Sequence, residues 1–164
     1  MISAPKLSFI LLDNTVLSNF AVVGEKPLLL KLWPEQIGTT QAVLDEYRFA
    51  VQHNLLAAGV WDSLPIFRLD DEEREIANRF SPRLGVGERT CLAVAYNRSG
   101  VFASDDADAR AVAKEMKIPV TGTLGILIHA VSQSLVSLPQ ANRLLREMIA
   151  AGYRSPVDRL DALL

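Results

Sequence analysis

Five carboxylates sit where their neighbours give them more than a solvating role. Asp13 follows directly on the apolar run Leu-Ser-Phe-Ile-Leu-Leu at 7–12 and leads into Asn14, Thr15, Val16 and Leu17. Glu46 lies within "TTQAVLDEY", Glu88 within "LGVGERTCLAVAY", and Asp105 and Asp106 end "VFASDD". Carboxylates brought together repel one another unless protons or cations neutralise them. A set of hard oxygen ligands without His or Cys pairs nearby favours Mg²⁺ or Mn²⁺ over zinc. Such ions suit phosphoryl chemistry, because they polarise phosphorus–oxygen bonds, lower the pKa of a bound water and stabilise attacking and leaving oxygens.

The elements that must carry these acids read as alternating strands and helices. Short apolar runs at 7–12, 36–40, 64–69, 101–104 and 118–121 predict about five strands. Between them the spacing predicts a helical turn over 15–20 and a short helix over 26–33 that Pro34 stops. A longer helix is predicted over 41–58, with Thr40 as its cap, Val43, Leu44, Tyr47, Val51 and Leu55 on one stripe, and Gly59 ending it. Further helices are expected from Asp71 behind Asp70, over 88–98, 107–116, 123–134 and 139–151. This is the pattern of an α/β fold with a parallel sheet. Ligands of such a sheet bind outside the carboxyl ends of its strands. Asp13 follows the first strand and Asp105 and Asp106 the fourth. Glu46 falls about one and a half turns into the helix after the second, and Glu88 in the first turn of the helix before the fourth.

Composition narrows the setting. The 164 residues, 49% apolar and 22% charged, make one ordinary domain, expected to span 1–164. A net charge of −2 lacks the basic excess of most nucleic-acid binders, so metal ions or local arginines must supply positive charge to any polyanion. The single cysteine, Cys91, excludes an internal disulfide and a multi-cysteine zinc site. No apolar stretch approaches the ~20 residues that cross a bilayer, so a cytoplasmic protein without membrane association is expected.

Taken together, the motifs resemble the PIN domain family. The apolar run into Asp13, followed by two small polar residues and an aliphatic pair, is similar to that family's opening. Glu46 and Glu88 fall where the family places its second and third acids, the latter in a Gly-x-Gly-Glu helix start. "VFASDDADARAVAKEMKIPVTGTLGILIHAV" and "AAGYRSPVDRLDALL" resemble the later segments of one PIN-like subgroup. The resemblance covers nearly the whole chain and implies a three-layer α/β/α sandwich with a central parallel sheet. It implies a metal-dependent ribonuclease, with Asp13, Glu46, Glu88 and Asp106 as catalytic ligands of Mg²⁺ or Mn²⁺ and a metal-activated water cleaving RNA. Asp105 is the register alternative to Asp106. Thr15, Ser104 and Thr123 are the implied supporting residues, Thr15 holding Asp13 or a water on the metal and Thr123 orienting a ligand or meeting a phosphate. Many small PIN proteins are toxins held inactive by an antitoxin, and many are homodimers, so both join RNA as implied partners. Asn14 replaces the family's usual Thr, and Glu88 stands where many PIN toxins carry Asp.

Plainer readings stand beside these. Asp13 and Asp106 are each suited to capping the helix that follows, and Glu88 to facing a helix dipole. Asp45 competes with Glu46, although Leu44 and Tyr47 mark the inward stripe. Cys91, Trp33 and Trp61 are expected to pack, and His53 and His129 lack ligand spacing. The run Asp70-Asp-Glu-Glu-Arg-Glu reads as a solvated helix start, and the tail as packing back through Val157, Leu160 and Leu163. Arg79 and Arg83 are candidates for phosphate, and Arg110 for pairing with the Asp105–Asp106 step. Two rival functions remain. A catalytically silent PIN-like binding module would keep the fold without the chemistry. A phosphatase of the haloacid dehalogenase type would need a second Asp at position 15, where Thr15 cannot donate a proton near neutral pH.

Overall fold

The computed structural model describes residues 9–53 and 56–164. Two residues at the start of the first predicted strand, and Leu55 of the predicted helical stripe, lie outside them. Four parallel strands form the sheet: β1 (Ile10–Leu12), β2 (Ile37–Gly38), β3 (Val101–Ala103) and β4 (Val120–Thr121). Their order is β2-β1-β3-β4. Ile10 lies opposite both Ile37 and Val101, and Ala103 opposite Thr121. From β1 the chain first builds outward to β2 and then returns to the other side of β1 for β3. The carboxyl ends of β1 and β3 therefore flank the topological switch point, the crevice where ligands of open α/β sheets bind.

Helices cover the sheet: α1 (Asn14–Val22), α2 (Lys26–Leu32), α3 (Gln41–Gln52), α4 (Asp71–Arg79), α5 (Val86–Arg98), α6 (Ala107–Glu115), α7 (Thr123–Ser132) and α8 (Leu138–Ala150). β1 is wholly buried, as its continuous apolar run requires of a strand covered on both faces. Phe102, Leu92, Cys91, Ile126, Leu127 and Leu145 close the core around it. Each large apolar side chain buried this way contributes roughly 1.5–3 kcal/mol. Trp61 is buried, and Trp33 stacks on His129 with ring centroids 5.7 Å apart. Among the described residues no helix is long and apolar enough to cross a membrane.

Four expectations are corrected. The stretch 64–69 is not a fifth strand. It meets β2's edge through one bridge, Thr39 with Ile66, where the Thr39 N–H donates to the Pro65 carbonyl at 3.0 Å and Phe67 N–H to the Thr39 carbonyl at 2.8 Å. Pro65 has no N–H to extend the ladder, and the chain past Thr39 turns at once into α3. Nor does α3 continue to Gly59; it stops at Gln52, with the His53 ring against the Phe49 carbonyl at 2.8 Å in place of a further helical turn. The acidic run is not wholly solvated, because Glu73 is buried and paired with Arg98 at 2.6 Å. In the tail, Leu160 is buried and Val157 partly so, but Leu163 is exposed.

Candidate active site

Asp13 is the first residue beyond β1 and the N-cap of α1, so strand and helix together fix its position. One carboxylate oxygen accepts the Asn14 N–H at 2.6 Å. The other accepts two hydroxyls, Ser104 at 2.8 Å and Thr15 at 3.3 Å. Both hydroxyls also take a backbone N–H from the end of β3: Asp106 donates to Ser104 at 3.1 Å, and Asp105 to Thr15 at 3.0 Å. Thr15 and Ser104 thus lash the two strand ends at the switch point to one carboxylate.

Glu46 and Glu88 reach the same rim from α3 and α5. Gly87 N–H donates to Glu46 at 2.9 Å, and Gly85 N–H to Glu88 at 2.9 Å. Gly87 is required here by contact. A Cβ on it would lie 2.9 Å from both a Glu46 carboxylate oxygen and a Val43 methyl. Asp106 caps α6 by accepting the Ala109 N–H at 2.8 Å. For Glu46, Glu88 and Asp106, the second carboxylate oxygen accepts no hydrogen bond among the described residues. Asp45 instead faces water beside Gln41 and Arg48, which separates it from Glu46.

The electrostatics show what this assembly lacks. Burial pushes the Asp13 carboxyl up to about 6, and the charge of Glu46 adds to the rise, against the lowering effect of Ser104, Asn14 and Thr15. Glu88 is pushed up to about 7, first by burial and then by Asp13, Asp106 and Glu46. Glu88 therefore feels the other three acids and Asp13 feels Glu46, and no basic side chain is among the groups that set either shift. The set suits a hard divalent cation by ligand type and charge. No three acidic, His or Cys side chains among the described residues close into a ready-made metal cage.

Asp105 belongs to a different network. Its carboxylate accepts the Asn19 amide at 3.0 Å, the Thr123 N–H at 2.8 Å and the Thr123 hydroxyl, and lies 3.4 Å from the Tyr153 hydroxyl. These partners engage both of its oxygens, whereas one oxygen of Asp106 accepts no hydrogen bond among the described residues. They also occupy Thr123, whose N–H and hydroxyl serve Asp105 and not a phosphate. Arg110 donates to the Ser104 carbonyl at 3.0 Å, and Arg79 sits beside Glu75 at 3.8 Å. Sequence reasoning missed Asn19 and Tyr153, and read Gly87 only as part of the Gly-x-Gly-Glu helix start. Asn19 lies one turn beyond Thr15 on α1, which was the available signal; nothing local to Tyr153 marks its contact with Asp105.

A family model described as a PIN domain matches residues 9–164. The chain belongs to the PIN domain family. PIN domains are in general nucleases, and the α/β fold with its parallel sheet agrees with that membership. No curated protein and no solved structure matches the chain.

Proposed function

We propose that this PIN domain is a metal-dependent endoribonuclease, with Asp13, Glu46, Glu88 and Asp106 holding Mg²⁺ or Mn²⁺. The observation that carries this reading is the convergence of these acids at the carboxyl ends of β1 and β3, close enough that Glu88, raised first by burial, also registers the charges of the other three. A divalent ion bound there supplies Lewis-acid activation of a water and of the scissile phosphodiester. Asp13 is the fixed point of the site, because both its oxygens are oriented by donors from two strand ends. Glu46 and Glu88 are each steadied through one oxygen, leaving the other to face the rim. Ser104 and Thr15 act as positioning residues, holding Asp13 in register with the Asp105–Asp106 backbone. A toxin role in the cytoplasm, held in check by an antitoxin and exercised by a homodimer, is part of the same proposal. It rests on the Gly-Glu and Asp-Asp motifs.

The test is cleavage of single-stranded RNA with Mg²⁺ or Mn²⁺ by the wild type and by Asp13→Asn. The variant is expected to lose ~100-fold or more in rate. Equal rates, or no cleavage by either across a broad RNA panel, would leave a catalytically silent binding module.

A further inference from the structure

Two cavities adjoin at Asp105, Tyr153 and Arg154. One, of about 400 Å³, opens at Asn14, Thr15 and Asp106 on the rim of the acid cluster. The other, of about 440 Å³, runs on past Arg110 and Gly122. We propose that together they form the track of an unpaired RNA strand, with Arg154 and Arg110 holding backbone phosphates beside the scissile one. This inference rests on the ribonuclease reading for its substrate.

The chain builds the track deliberately at the end of α8. Gly152 takes φ +115°, its N–H donates to the Ile149 carbonyl at 3.0 Å, and the Tyr153 N–H donates to the Met148 carbonyl at 3.0 Å. This paired closure turns the chain sharply and needs glycine at the turn. It delivers Tyr153 to Asp105 and leaves Arg154 exposed beside both cavities. Burial and the Asp105 charge hold the Tyr153 hydroxyl protonated, so it remains a donor to that carboxylate. The Asp105 charge is directed into Asn19 and Thr123, and Arg110 passes close to it. A Cβ on Gly122 would meet both Asp105 Oδ1 at 2.7 Å and Arg110 Nη1 at 2.9 Å.

Charge selects the occupant. Arginines 48, 74, 79, 98, 143 and 159 sit in ion pairs; Arg68, Arg83, Arg89, Arg110, Arg146 and Arg154 have no acidic partner within 4.0 Å among the described residues, and of these Arg110 and Arg154 line the cavities. On a chain of net charge −2, two guanidiniums without an ion-pair partner, Arg154 exposed and Arg110 held by the Ser104 carbonyl, line a groove that leads to a candidate phosphodiesterase site and match a polyanion.

Fluorescence anisotropy with a labelled single-stranded RNA in EDTA reads binding apart from cleavage. Arg154→Ala is expected to weaken binding by about 5–10-fold and to reduce the salt slope by about one, while Arg154→Lys restores most of the affinity. Arg74→Ala, outside both cavities and paired with Asp71 on the exposed face of α4, should bind as the wild type does. With Mn²⁺, Arg154→Ala should raise KM and spare kcat. Wild-type affinity in Arg154→Ala, or no RNA binding by the wild type at low salt, overturns the proposal. So does binding of polyglutamate that depends on Arg154 when RNA binding does not, which would assign the groove to an acidic protein. Arg154-dependent binding without cleavage would defeat the ribonuclease reading alone, and cleavage with KM unchanged in Arg154→Ala would defeat the track alone.

Discussion

Asp13 and Glu73 are both shut off from water, at 1% and 0% exposure, and burial raises both carboxyls, yet their net acidities move in opposite directions. Glu73 faces a guanidinium. Arg98 contacts it through two nitrogens at 2.6 and 2.7 Å, Asn97 and the Asp70 N–H complete its shell, and its carboxyl falls to about 2. Asp13 faces two hydroxyls, one N–H and other acids, and rises to about 6. The chain can neutralise a buried carboxylate where α4 meets α5, and at the switch point of the sheet it does not. A fold that leaves its acids uncompensated at the place where ligands bind carries a standing cost. Perturbed acids gathered in a crevice are the mark of a functional site.

Breaking the compensated half should have the largest effect. Arg98→Ala strands the Glu73 charge and should cost about 3 kcal/mol in urea unfolding. The Glu73 carboxyl is depressed in the folded state, so its stabilisation is present above its unfolded pKa, near 4.3, and is lost as the pH falls towards 2. Glu73→Gln should flatten that acid limb. A loss under ~0.5 kcal/mol in Arg98→Ala would mean the pair is no more than a surface contact.

Removing charge from the uncompensated half should act in the other direction. The folded carboxyl of Asp13 is raised, so its cost is absent below about pH 4, grows between about 4 and 6, and is complete above that. Without metal, Asp13→Asn should therefore gain ~1–2 kcal/mol at pH 7, read as a higher Tm. A Tm that falls would show that the hydrogen bonds from Ser104 and Thr15 outweigh the charge. A comparable but more local effect is expected from Gly87→Ala, whose Cβ crowds Glu46 and Val43. It should lose ~1–2 kcal/mol by overpacking and bind Mn²⁺ more weakly. Ser104→Ala should be the smallest, at ~1 kcal/mol for its hydrogen bonds, and should move the acidic limb of any cleavage profile upward as Asp13 loses a donor.

How much of this was legible follows from the range of the forces involved. Asp13 and Asp106 could be placed from short apolar runs that end in a capping acid, a local pattern. Glu46 could be told from Asp45 because the Leu44–Tyr47 stripe fixes which way α3 turns. Glu73 could not be read as buried, because its partner Arg98 lies 25 residues away on another helix. The direction of Asp105 was hidden for the same reason, since Asn19, Thr123 and Tyr153 come from three separate parts of the chain. The fifth strand failed on Pro65, a single missing donor inside an otherwise apolar run.

Calorimetric titration of Mn²⁺ tests the uncompensated cluster most directly, comparing the wild type with Asp13→Asn, Glu46→Gln and, as the exposed neighbour, Asp45→Asn. The wild type and Asp45→Asn should bind alike, and the other two at least ~10-fold more weakly. No binding by the wild type, or the same affinity in all four, would contradict a cation site at the ends of β1 and β3.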